Sequence, residues 1–244
     1  MSMKLNKFSV FIGLVLFLTF FDKIRAQIPA NVYHFEEKSK DGTLHHELKL
    51  DADYYVHTIY KESPAEFIKT MGGYYTTSDN TLMVDLEFNS NHKKDKITRI
   101  NVPYKLKKGN LILEGDTPMT FKPTSRETQE LDGKWLMTGR VTDQGEQRRD
   151  SSRPRKTMKY LLNGHFQWIA YNTETFEFSG TGGGTYDATN GKYTENIGYF
   201  SRDNSRVGAK LTFNYDLNGN DWHHTGKSSK GDPLNEIWSK RETK

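Results

Sequence analysis

Apolar and polar residues alternate with a period of two along much of the chain. Ile100, Val102, Tyr104 and Leu106 are separated by polar residues or proline, and Leu211, Phe213, Tyr215 and Leu217 repeat the pattern. Leu82, Val84, Leu86 and Phe88 alternate with Met83, Asp85 and Glu87 and are matched in phase by Tyr193, Glu195, Ile197 and Tyr199. Successive strand side chains point to opposite faces, so the alternation predicts half-buried strands with one face inward. No stretch holds a 3.6-residue apolar period, and helices are expected to be minor.

The matched groups lie 111 positions apart. That offset aligns Leu50–Gly115 with Leu161–Gly226 without a gap, and 12 of the 66 positions are identical. The identities include Tyr60/Tyr171, Phe67/Phe178, Thr70/Thr181, Gly72-Gly73/Gly183-Gly184 and Tyr104/Tyr215. A phase kept across several turns marks an internal duplication.

Each unit resolves into about eight short strands. In the second they are predicted near Lys134–Arg140, Thr157–Leu162, His165–Asn172, Glu177–Tyr186, Lys192–Ser201, Ala209–Leu217, Asp221–Thr225 and Asn235–Ser239. Asn163-Gly164, Asn190-Gly191, Asp203-Asn204 and Asn218-Gly219 supply turn chemistry between them. The first unit offers equivalent strands from Asn31 to about Pro123. Strands joined in order by tight hairpins predict an all-β chain of two tandem eight-stranded antiparallel up-and-down barrels or strongly curled sheets. The units are expected over 27–125 and 126–244, meeting near Thr124–Glu130, with one long inserted loop, Thr142–Pro154.

Residues 1–26 read as a secretory leader: Lys4 and Lys7, the apolar run Phe8–Phe21, then a polar stretch ending at Ala26. The run is shorter than the roughly 20 apolar residues that span a bilayer. No cysteine follows it, which excludes a lipid-modified terminus of the bacterial lipoprotein type. The expected location is secreted or periplasmic, with no membrane span once the leader is removed. Without those residues the 35 basic and 31 acidic side chains become 31 and 30, so the basic pI gives no reason to expect nucleic acid as a partner. With no cysteine there are no disulfides, and a hydrophobic core must supply the stability.

Leu131-Asp132-Gly133-Lys134-Trp135 resembles the Gly-x-Trp opening strand of lipocalin-like proteins. The runs Phe166–Tyr186, Gly191–Gly208, Trp222–Gly226 and Ser228–Lys240 resemble a group of exported, lipocalin-like bacterial proteins of unknown function. The likeness is dense over the second unit and looser over the first, where Asn31-Val32-Tyr33 stands in place of Gly-x-Trp. It implies the barrel fold and export, and no activity.

Motifs for chemistry are sparse. The glycines of Gly180–Tyr186 lie between strand-like residues and have a Gly72-Gly73 counterpart, so a bulge explains them better than a phosphate cradle. His45-His46 and His223-His224 are neighbours on strands and point to opposite faces, so neither pair grips one metal ion. Asp51-Ala52-Asp53 reads as a turn or solvated face, and the basic run Arg148–Lys156 as a flexible exposed loop able to meet an anionic partner. There is no nucleophile elbow and no cysteine nucleophile, and no cofactor is implied.

The repeat offers one sharper clue, because the second unit carries Glu195 where the first has Val84 and His224 where it has Leu113. Trp168, Tyr193, Glu195, Tyr215, Trp222 and His224 are therefore expected to share the second interior as a polar spot in an aromatic cavity. Three functions are compatible with that pattern. The first is an exported non-catalytic module holding a small apolar or amphipathic ligand in the second barrel. The second is an interaction protein with filled barrels that meets an envelope protein or a glycan. The third is a cavity-type enzyme with Glu195 and His224 as acid and base.

Overall fold

A computed structural model describes residues 27–125, 127–228 and 231–242; the leader expected over 1–26 lies outside them. Barrel one is built from β1 (Asn31–Ser39), β2 (Gly42–Leu50), β3 (Tyr54–Glu62), β4 (Ala65–Ser78), β5 (Thr81–Asn89), β6 (Arg99–Lys107), β7 (Asn110–Leu113) and β8 (Met119–Pro123). All neighbours are antiparallel, and β1 closes on β8 through Tyr33 opposite Pro123 and His34 opposite Lys122.

Barrel two continues with β9 (Gly133–Thr142), β10 (Gly145–Arg148), β11 (Arg155–Leu162), β12 (His165–Asn172), β13 (Phe178–Thr189), β14 (Lys192–Phe200), β15 (Lys210–Asn218), β16 (Asp221–Lys227) and β17 (Pro233–Lys240). It closes through β17 on β9, while β10 is a short flap paired only with β9. The two predicted barrels thus close separately. Asn163-Gly164 and Asn190-Gly191 take positive φ at both positions, the backbone that the tightest hairpins require. Asp203-Asn204 instead opens a short 3-10 turn, with the Asp203 side chain accepting from the Ser205 N–H.

The duplication extends to the irregularities. Register shifts fall between Ile59 and Tyr60 in barrel one and between Ala170 and Tyr171 in barrel two. A second pair falls between Gly72 and Gly73 and between Gly183 and Gly184. A Cβ on Gly73 or Gly184 would collide with the backbone of the facing strand, at Asp85 and Asn196 respectively. At this second shift Glu87 and Gly198 are the extra residues, and a bulge reverses the facing of the residues beyond it. Phe88 and Tyr199, which simple alternation would turn inward, therefore face out of their barrels.

Those outward residues are still buried, because the barrels pack against each other. Tyr54, Val56 and Phe88 of barrel one form a third core with Met158, Tyr160, Ile169 and Tyr171 of barrel two. Contacts across it come in pairs related by the repeat. Tyr60 packs on Tyr199 with ring centroids 4.8 Å apart, and the counterparts Tyr171 and Phe88 pack at 5.0 Å. Phe67 stacks on its own counterpart, Phe178. Reciprocal contacts of this kind define an approximate two-fold axis through the interface.

Gln167 lies near that axis and is fully buried. Its amide donates to Thr70 and Thr181, both at 3.1 Å, and its carbonyl accepts from Thr58 at 3.0 Å. At the edges, Lys134 is clamped by Asp51 and Asp53, and Arg241 by Glu87. Asp51-Ala52-Asp53 forms the expected turn, between β2 and β3, with Asp51 accepting from the Asp53 and Tyr54 N–H groups, and the second barrel adds Lys134 as counter-ion to both carboxylates.

Candidate functional site

The six residues predicted for the second interior all come from its strands: Trp168 from β12, Tyr193 and Glu195 from β14, Tyr215 from β15, and Trp222 and His224 from β16. Four of them meet. The Tyr193 ring lies 5.1 Å from Trp222 and 5.7 Å from His224, and its hydroxyl donates to Glu195 at 2.9 Å. Trp168 is set apart, edge-on to Phe200. Tyr215 reaches the linker, where its hydroxyl donates to Glu130 at 2.7 Å.

The group at the centre of this set is one that the comparison of the two halves does not single out. Lys159 on β11 projects inward, and its ammonium donates to Glu195 at 2.7 Å. The same nitrogen lies 4.7, 5.0, 5.4 and 5.7 Å from the ring centres of Tyr193, Trp222, Trp238 and Phe213. An ammonium over aromatic faces is attracted by their negative centres. The aromatic box is thus occupied by a cation tethered to the fold, and Lys159 and Glu195 are both nearly inaccessible. The sequence held a signal for this, since Lys159 is two positions from inward-facing Leu161 on the same strand.

His224 is held neutral at pH 7. Burial pushes its pKa down to about 4, and the Lys159 charge adds to the effect. Its nearest carboxylate is Glu236 on β17, at 3.6 Å. Burial opposes ionisation of Glu236, but His224 and the Lys159 charge outweigh it and hold that carboxyl below its ordinary range. Glu195 is engaged by Lys159 and Tyr193, and among the described residues no hydrogen bond joins it to His224. The arrangement is a paired charge inside an aromatic core.

Barrel one also carries polar groups inside, contrary to the expected contrast between the units. The rings of His46 and His57 approach at 3.1 Å between Nδ1 and Nε2, and burial drives His57 down to about 3. His45, next in sequence to His46, stacks on Tyr60 and bonds neither ring, as opposite facing requires.

The Thr142–Pro154 insertion is more ordered than a flexible loop, because β10 folds back on β9. Beside it opens a cleft of about 500 Å3, lined in part by Leu136, Met137 and Thr157. Arg148, Arg149, Arg153, Arg155 and Lys156 rim it against a single acid, Asp150. Arg148 is tied to Glu146 at 2.8 Å and Asp221 at 2.9 Å. Arg149 and Arg155 form no ion pair among the described residues. Lys156 donates to the carbonyls of Ser151 and Arg153, and burial together with the Arg241 charge lowers its pKa. Two smaller cavities, of about 410 and 330 Å3, open beside His34 and beside Asn89.

Among the described residues no helix is long and apolar enough to cross a membrane. No family model and no curated protein matches the chain.

Proposed function

We propose that the chain is an exported, non-catalytic binding protein whose filled barrels form a scaffold and whose basic cleft holds an acidic glycan. The observation that carries this reading is the cleft itself: about 500 Å3 lined by five cationic side chains and a single acid. Guanidinium groups match carboxylates and sulfates in a two-bond fork.

The rival reading, a small apolar or amphipathic ligand inside barrel two, is served less well. A guest there would have to displace the Lys159 ammonium from four rings and from Glu195. Export rests on the residue 1–26 pattern.

The test is calorimetric titration of residues 27–244 with a polyuronate, a neutral glycan of equal length and polyglutamate. Polyuronate should bind, more weakly as salt rises, and Arg149→Ser/Arg153→Ser/Arg155→Ser should weaken it at least tenfold, about 1.4 kcal/mol or more. Equal binding of the neutral glycan, or an unaffected triple variant, overturns the reading. Binding of polyglutamate alone would move the partner to an acidic envelope protein. A co-purified small molecule retained by the triple variant would favour the barrel-ligand reading.

A further inference from the structure

We propose that His34, Glu47 and His165 form a binding site for one divalent transition-metal ion of the zinc type, clasping the two barrels together. His34 and Glu47 face each other directly across β1 and β2. His165 opens β12 and reaches over from barrel two. The donor atoms of the three side chains all lie within 4.8 Å of one another. His165 Nδ1 is 3.0 Å from Glu47 Oε2, and the two imidazole centroids are 5.1 Å apart. Tetrahedral zinc with bonds of about 2.1 Å needs donors separated by roughly 3.4 Å, so a small rotation of one ring completes the set.

The donor chemistry fits. Two imidazoles and one carboxylate suit zinc and its neighbours in the first transition series, and leave a fourth position for water. The carboxylate is already oriented by its surroundings: Oε1 is engaged by Lys49 and by the Tyr199 hydroxyl at 3.3 Å, while Oε2 faces His165. Such outer contacts fix the ligand atom that a metal meets. There is also a way in, since the cavity of about 410 Å3 is lined by His34, Phe35, Glu36, Thr120 and Lys122.

The approximate two-fold axis supplies an independent argument. At the symmetric end of the interface the strand pairing puts Leu136 in the place of His34, Met158 in that of Glu47, and Tyr54 in that of His165. Tyr160 likewise replaces Lys49. Met158, Tyr54 and Tyr160 are fully buried there, and the charged groups they meet belong to the Glu87–Arg241 pair: the Tyr54 hydroxyl donates to Glu87 at 2.6 Å, and Arg241 Nη1 lies 3.6 Å from Met158 Sδ. Both ends thus bury an ion pair, but among the described residues only this end adds two imidazoles converging on the carboxylate.

The test uses residues 27–244 purified in chelator and titrated with cobalt(II) alone. The expected result is one ion per chain with the intense visible bands of a four-coordinate site, competed away by zinc. His34→Gln and His165→Gln should each remove the bands, whereas His223→Gln, remote from the three ligands in sequence, should retain them. Absence of the bands, or binding unchanged in both ligand variants, overturns the proposal. Should a ligand variant fail to fold, nitrogen NMR of the unaltered protein decides: zinc must shift the imidazole nitrogens of His34 and His165 and leave those of His223 in place.

Discussion

Lys159 donates to Glu195 at 2.7 Å in the middle of barrel two, with both side chains nearly inaccessible. Removing one member of a buried pair leaves the other charge uncompensated, at about 3 kcal/mol or more. Lys159→Met and Glu195→Leu should each destabilise the fold by that amount in urea denaturation. The double variant should return to within about 1 kcal/mol of the parent or exceed it. Strictly additive losses would show that the two groups are not coupled.

Acid should weaken the protein through its buried histidines. His224 and His57 are held down to about 4 and about 3 in the fold, against 6.5 for an ordinary histidine. Between pH 6.5 and those values the unfolded chain binds the extra protons, so stability is complete above pH 6.5 and falls on acidification. The slope is up to about 1.4 kcal/mol per pH unit for each ring. Glu87 and Glu236, held below their ordinary range, extend the loss beneath pH 4.5. Chemical denaturation at stepped pH should give His224→Leu a visibly shallower decline between pH 6.5 and 4.

Gly73 and Gly184 occupy equivalent bulges, and neither has room for a methyl group against the facing backbone. Gly184 also has φ of +152°, which L side chains rarely adopt. Gly73→Ala and Gly184→Ala should each lower stability by about 2 kcal/mol or more. By contrast Gly109→Ala adds a methyl that meets nothing within 4 Å, so only its φ of +80° opposes it. A thermal melt with all three variants unchanged would refute the steric account.

The shared core makes each barrel dependent on the other. Residues 27–125 and 126–244 expressed separately should each expose an apolar face and, when mixed, associate one to one. Sedimentation would read this directly. Two halves that stay monomeric after mixing would mean that burial of Tyr54, Val56, Ile169 and Tyr171 between the barrels contributes little to holding them.

The barrels were legible in the sequence because period-two alternation and Asn-Gly turns are local signals. Their interface was less so. Tyr54-Tyr55-Val56 and Ile169-Ala170-Tyr171 are unbroken runs where a strand facing solvent on one side would alternate, which is the mark of burial on both faces. The Gly-Gly pairs announced bulges, yet not that Phe88 and Tyr199 would turn outward beyond them. Tyr193, Glu195, Trp222 and His224 were located by comparing the halves and reading strand phase, and they do meet inside the barrel. Lys159 has no charged counterpart in barrel one, where Leu48 stands in its place, and the comparison passed over it. Glu47 and His165 are 118 positions apart, and only the packing of one barrel on the other brings them together.

In an assembly of two identical chains every substitution is made twice, once on each side of the axis. A charge that helps at one end must be tolerated at the other. Joining the copies in one polypeptide lifts that restriction. Here one end of a reciprocal interface carries His34, Glu47 and His165 while its twin carries Leu136, Met158 and Tyr54. The linker between the barrels thus does more than connect them: it allows a symmetric contact to evolve a single, unsymmetric feature without disturbing the equivalent position across the axis.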